Sequence, residues 1–129
     1  MISTDAYSYI NILDKAADAS WTRENLIANN IANVDTPGYK RQDLDFQSVL
    51  KNELSNYKYM SLDKKVNAVE LGRLNPEIYT DMAGYSYRLD GNNVDYDIEQ
   101  VELASEQIKY QALTTSITAE FEQLRTVLK

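Results

Sequence analysis

Between residues 4 and 34 apolar side chains recur mostly three and four positions apart: Ala6, Ile10, Leu13, Ala17, Trp21, Ile27 or Ala28, Ile31 and Val34. That spacing is one face of a helix, and no Gly or Pro interrupts it. Ser3 or Thr4 can cap its start, with Asp5 in the favourable first turn. Glu24 falls on the stripe, and Asn29, Asn30 and Asn33 dilute its end. The face is therefore too weak to define a compact core by itself.

Residues 94–129 predict a second long helix. Leu103, Tyr110, Ile117 and Leu124 recur every seven positions, supported by Leu113, Phe121 and Val127 or Leu128. A second stripe runs through Val94, Ile98, Val101, Ile108 and Ala112, offset by about two residues, or about 200° around the helix. One partner helix buries only one of them. The other needs either a further helix of a small bundle or a neighbouring subunit. Asp90-Gly91-Asn92-Asn93 is a turn signal ahead of this helix. Asp95 or Asp97 offers an N-cap, Asp97 with Gln100 has capping-box spacing, and Arg125 and Lys129 lie at the opposite end.

The middle differs. Phe46, Val49 or Leu50, and Leu54 form one short helical stripe between Asp45 and Asn56. From Tyr57 to Asn93 no pattern persists, although Tyr85-Ser86-Tyr87-Arg88-Leu89 alternates like a short strand entering a turn. Tyr57, Tyr59, Tyr79, Tyr85 and Tyr87 also fall here, a residue type common in interfaces as well as in half-buried packing. The expected fold is mainly α: N- and C-terminal helices pair as a coiled-coil-like hairpin, with a short helix and an irregular or small-β middle. Residues 1–34 plus 94–129 form one discontinuous helical core, and 35–93 carry the turn, short helix and variable segment.

Composition then narrows the chemistry. The 129 residues suit one domain and carry a net charge of −7, which disfavours nucleic acid as a partner. There is neither cysteine nor histidine. That removes disulfides, thiolate nucleophiles, the usual zinc ligands and the commonest acid–base side chain. An enzyme would have to rely on carboxylate pairs such as Asp43 and Asp45 or Asp95 and Asp97. These are more economically read as caps and turn-to-helix punctuation. No catalytic, cofactor or metal residue and no small-molecule substrate is expected. The N-terminal stretch lacks the charge, apolar run and cleavage site of a secretory signal, and no segment approaches the roughly 20 apolar residues of a membrane helix. The chain is expected to begin in the cytoplasm and to leave, if it leaves, without a cleaved leader.

One stretch remains, Asn29 to Gln42, NNIANVDTPGYKRQ. Pro37 ends a helix, Thr36 before it is pushed to extended geometry, and Pro37-Gly38 suit the centre of a type II turn. Asn33 can take the left-handed conformation that closes many helices. One such device stops a helix, so the stretch is over-specified for that purpose alone.

Asn30-Ile31-Ala32-Asn33-Val34-Asp35-Thr36-Pro37-Gly38-Tyr39-Lys40, preceded by Ala28-Asn29, closely resembles the A-N-N-I-A-N-x-x-T-P-G-Y signature of bacterial flagellar rod and hook proteins. Arg41 to Phe46, Asp90 to Asp95, Val101 to Ala104 and Tyr110 to Leu113 narrow the resemblance to the basal-body rod family and its proximal rod. Asp35 stands where many relatives carry Asn.

The resemblance implies a structural rod subunit that assembles helically and transmits torque from the membrane-ring base toward the hook. Its implied partners are other flagellar rod subunits, basal-body membrane-ring or adaptor proteins, and the flagellar type III export apparatus. Its implied location is the basal body in the periplasmic space. Asn29, Asn30, Asn33, Thr36, Pro37, Gly38 and Tyr39 would form the signature turn, and Phe46 with Leu50 a motif read by the export gate. Ile10, Leu13, Trp21, Ile27, Ile31, Val101, Leu103, Ile108, Tyr110, Leu113, Ile117, Phe121 and Leu124 would pack the helices or meet neighbouring subunits. The alternative is an acidic helical adaptor or secretion chaperone.

Overall fold

A computed structural model describes residues 3–82 and 88–129, with side chains from residue 7 onward. Helix α1 covers Ser3–Ala32, β1 Gln42–Leu44, α2 Phe46–Ser55 and α3 Leu62–Ala68. A 3-10 turn at Leu71–Arg73, β2 at Ile78–Thr80 and helix α4 at Tyr96–Val127 complete the order. Both long helices lie where the periodicity predicts them, and the architecture is the expected mainly α hairpin with a small-β middle.

Helices α1 and α4 run antiparallel. Ser20 Oγ donates to the Glu106 carbonyl at 3.5 Å, while ten residues further along α1 the Asn30 amide donates to Glu99 at 3.2 Å. The stripe expected on α1 is buried at Ile10, Ala17 and Ile27, whereas Trp21 is 58% exposed and stands outside the packing. On α4, Leu103, Tyr110, Leu113, Ile117 and Leu124 are half-buried. The offset stripe is bare instead: Ile98, Val101 and Ile108 are 58%, 69% and 68% exposed, and only Val94, ahead of the helix, is buried. Of the two arrangements left open by the periodicity, a bundle closed on both sides does not form among the described residues.

A second stripe on α1 carries the middle segment. Ala19 and Leu26 pack with Leu44, Phe46 and Leu74, with Ile12, Ala16, Val49, Leu50, Val69 and Leu71 at the margin. This face is hard to see in the sequence because Arg23 and Asn30 occupy the positions that would complete it. The core thus sits between α1 and residues 44–74, and α1 is covered on two sides while α4 is covered on one.

The strands pair antiparallel, Gln42 opposite Thr80 and Leu44 opposite Ile78. The strand expected at 85–89 falls mostly outside the described residues. Arg88 instead belongs to a turn, its carbonyl accepting from the Gly91 N–H at 3.2 Å. Helix α3 was not expected from the pattern. It has one buried apolar anchor, Val66, and starts at a Ser61 cap whose side chain accepts from the Lys64 N–H. Asp45 caps α2 through the Ser48 N–H at 3.0 Å. Asp95, not Asp97, caps α4, accepting from the N–H groups of Asp97 and Ile98.

Candidate functional site

The segment leaving α1 is built by exchanges between two asparagine-rich stretches. The Asn33 N–H bonds the carbonyls of Asn29 and Asn30 at 3.1 and 3.2 Å, and Thr36 Oγ1 donates to Asn33 Oδ1 at 3.1 Å. Asn33 does not take the left-handed conformation expected of it. Positive φ among the described residues belongs to Gly38 at 72° and Gly91 at 78°. The Asn29 carbonyl holds both the N–H and the side-chain amide of Asn33, so the last helical turn closes without a conformational change at that residue. The turn at Pro37-Gly38 forms as the residue types require: the Tyr39 N–H reaches the Thr36 carbonyl at 3.2 Å.

Asn92, from the turn before α4, is fully buried and reaches across. Its amide donates to the carbonyls of Asn33, Val34 and Thr36 at 2.9, 3.0 and 2.9 Å, and its oxygen accepts from the Val94 N–H at 2.8 Å. The Gly38 N–H donates to the Asp90 carbonyl at 2.8 Å. Lys40 donates to the Gly91 carbonyl and Arg88 to the Val34 carbonyl. The carbonyls of Asn33, Val34 and Thr36, just past the end of α1, thus find donors from a segment more than fifty residues away.

Asn30 is the other anchor and is also fully buried. Its oxygen accepts from the Gln42 N–H at 2.9 Å and the Tyr39 hydroxyl at 3.1 Å. Its amide donates to the Gln42 carbonyl at 2.9 Å as well as to Glu99. One side chain therefore joins α1, the start of β1 and α4. Burial and the nearby Glu99 carboxylate push the Tyr39 hydroxyl above its ordinary pKa, keeping it a donor.

Beside it runs a partly buried chain of ions that sequence reasoning missed. Glu99 accepts from Arg41 Nε at 2.6 Å, and Arg41 Nη2 donates to Asp43 at 3.0 Å. Asp43 also accepts from Arg23 Nε at 2.7 Å, and Arg23 donates to Glu106 at 2.7 Å and Glu102 at 2.8 Å. Asp81 closes on Arg41 at 3.2 Å. Burial alone would raise the Asp43 carboxyl. Hydrogen bonds from Arg23, the Leu44 N–H and Arg41 outweigh it and hold the group below the usual value. Bonds to Asp43, Glu106 and Glu102 hold the Arg23 guanidinium charged against its burial, and bonds to Glu99, Asp43 and Asp81 do the same for Arg41.

Asp43 is therefore an ionic bridge and not simple punctuation between turn and helix, whereas Asp45 punctuates that junction as expected, by capping α2. Asp43, Glu99, Glu102 and Glu106 are tied to the guanidiniums of Arg23 and Arg41 and serve as struts between α1, β1 and α4. The available signals were a cation at helical spacing on an apolar stripe, Arg23, and Glu99, Glu102 and Glu106 three and four apart on α4.

The remaining signature residues, Asn29, Thr36, Pro37 and Gly38, lie at the surface, and Tyr39 is half-buried. Phe46 is buried at the start of α2 and Leu50 is half-buried beside it. Of the expected packing residues, Val101, Ile108, Trp21 and Phe121 are exposed.

A family model described as flagella basal body rod protein matches residues 11–40, most of α1 and the signature turn. Similarity to individual proteins spans far more of the chain. The flagellar basal body rod protein FlgB of Bacillus subtilis (strain 168) is 38% identical over 120 residues, 92% of each chain. Its namesake in Borrelia hermsii is 33% identical over 133 residues, 96% of this chain and 93% of the relative. That of Escherichia coli (strain K12) is 30% identical over 114 residues, 83% of each. With such identity extending across the middle segment as well as both long helices, the chain belongs to the FlgB family of flagellar basal body rod proteins.

Proposed function

We infer that the chain is a structural subunit of the flagellar basal-body rod, working by self-assembly and contributing to motility without catalysing a reaction. The observation that carries this reading beyond family membership is the bare outer stripe of α4. Ile98, Val101 and Ile108 form an apolar seam that no element covers among the described residues. A helix with both faces apolar and one partner supplied is half of an interface that propagates instead of closing. Nothing in the relatives supports the adaptor or chaperone alternative.

In this reading residues 1–34 and 94–129 form the axial part of the subunit, and 35–93 lie against the outer side of α1. The neighbours are other rod subunits and the membrane-ring or adaptor proteins at the base, in the periplasmic space. Delivery is through the flagellar type III apparatus. Recognition of Phe46 and Leu50 by the export gate would require an unfolded chain, since Phe46 is buried once α2 packs on α1. The exit clamp joining Asn30, Asn33 and Asn92 fixes where the axial helix ends and the middle segment begins.

Electron microscopy of basal bodies from cells lacking this chain tests the function. Absent or truncated rods are expected, with the chain fractionating with basal bodies in the parent strain. Complete rods in the deletion strain would refute the assignment.

A further inference from the structure

An open groove of about 410 Å³ lies between α2 and α3, lined by Gln47, Leu50, Lys51, Leu54, Ser55 and Lys65. Leu50 and Leu54 make it apolar, two lysines flank it, and no carboxylate lines it. Arg23 and Arg41 are neutralised inside the fold, but Lys51 and Lys65 enter no ion pair among the described residues. The groove therefore suits an apolar anchor accompanied by carboxylates.

The outer face of α1 has that make-up. Asp14, Asp18 and Trp21 fall at i, i+4 and i+7, and all three are exposed, Trp21 at 58%. Neither carboxylate has an ion-pair partner among the described residues. No Lys or Arg is among the exposed side chains described on α1. The outer seam of α4 matches less well, since no carboxylate is exposed between Ile98 and Ile108. Within one molecule groove and face stay apart. Helix α2 packs through Phe46 on Ala19 and Leu26, which lie about 200° and 140° around α1 from Trp21. We propose that the groove between α2 and α3 receives the Asp14–Asp18–Trp21 face of a second copy. Trp21 then lies against Leu50 and Leu54, and the two carboxylates stand beside Lys51 and Lys65. Tryptophan seated in an apolar pocket is a common anchor of protein interfaces. The contact is heterologous: each copy offers its groove to one neighbour and its outer α1 face to another, so it propagates.

This proposal rests on the rod-subunit reading, and the test separates the two. The chain has no cysteine, so disulfide trapping has no background from the protein itself. Ser55 lines the groove, Asn25 lies one turn beyond Trp21 on the same face of α1, and both are exposed. Basal bodies would be purified from cells producing S55C, N25C or both substitutions on one chain, then oxidised. The double variant is expected to give a ladder of cross-linked copies at least about tenfold above either single variant, because docking holds the two thiols at high effective concentration. Adding Lys51→Glu with Lys65→Glu should reduce the ladder to the single-variant level, as should Asp14→Lys with Asp18→Lys. Combining the two reversals on one chain should restore it, which a merely misfolded variant would not do. No ladder in rods that contain the double variant, a ladder undiminished by either reversal, or no recovery when the reversals are combined would each overturn the proposal. Absence of the unsubstituted chain from basal bodies would instead overturn the function itself.

Discussion

Replacing Asn92 with alanine tests whether the two asparagine-rich stretches act as one clamp. The side chain is fully buried: its two amide hydrogens are shared among three carbonyls at 2.9 to 3.0 Å just past the end of α1, and its oxygen accepts from the Val94 N–H at 2.8 Å. Val94 is itself buried, so its N–H is left without an acceptor, at about 1–3 kcal/mol. The three carbonyls lose less. Val34 still accepts from Arg88, and Thr36 lies at the surface where water can replace the amide. A total of about 2–4 kcal/mol follows from these terms. Urea unfolding followed by far-UV circular dichroism reads it as a lower midpoint at unchanged slope. Asn92→Asp sharpens the test. It keeps the shape and the acceptor for Val94 but sets a carboxylate against three carbonyl oxygens, so it should be at least as damaging as alanine. A loss below about 0.5 kcal/mol for alanine, typical of an unremarkable surface position, would refute the clamp. So would an aspartate variant as stable as the parent.

The ionic chain gives a second test. Asp43→Asn should cost about 3 kcal/mol by leaving two guanidiniums short of a carboxylate, measured in the same urea assay. Because the Asp43 carboxyl is held below its ordinary value, near 3.8, its contribution is present above that pH and is lost as pH falls through the depressed folded value. Acid titration of stability should therefore be shallower in Asp43→Asn than in the parent below about pH 4. At Gly38, with φ of 72° and open space where a Cβ would stand, alanine should cost about 1–2 kcal/mol by backbone strain alone, with Asn less costly. On the outer seam of α4, Val101→Asp with Ile108→Asp should leave subunit stability within about 0.5 kcal/mol yet abolish swimming in soft agar. Retained swimming would remove the seam from the assembly. Amide exchange in the dilute subunit should show protection concentrated at residues 26–31, where the clamp holds α1, and weak near residue 7. Uniform protection along α1 would contradict assembly-dependent ordering of its N-terminal part.

The long helices were legible because their evidence is periodic and repeated. Over some thirty residues, steps of three and four outvote single exceptions such as Glu24. The short elements were not. Helix α3 rests on Val66 and a serine cap, and β1 and β2 each have three residues, too few for alternation to register. The turn at Pro37-Gly38 was readable from residue chemistry, since few residues tolerate its geometry. Its reinforcement by Asn92 was not, because a long-range side-chain bond leaves no local pattern. The buried ions were obscured for a related reason. A charge on an apolar stripe reads as a flaw in the stripe until its partner is known, and the partners of Arg23 lie on β1 and α4.

Those charges make sense as a device for register. A buried ion pair adds little net stability over apolar packing of similar size, but separating it leaves an uncompensated charge at about 3–5 kcal/mol. The apolar residues between α1 and α4 recur at heptad spacing, so sliding one helix along the other would re-pair similar side chains at small cost. Glu99, Glu102 and Glu106 occupy positions on the facing side of α4 where apolar residues would otherwise continue the stripe. Any slide withdraws them from Arg41 and Arg23 and breaks the bridge through Asp43 to β1. Asn30 adds a second lock, because its amide satisfies β1 and Glu99 at one register only. A monomer needs its helices paired, but not at one fixed height. A subunit whose exposed seam must meet its neighbours does, since an error of one turn, about 5.4 Å, would misplace every contact in the assembly. The ionic chain trades stability for that fixed height.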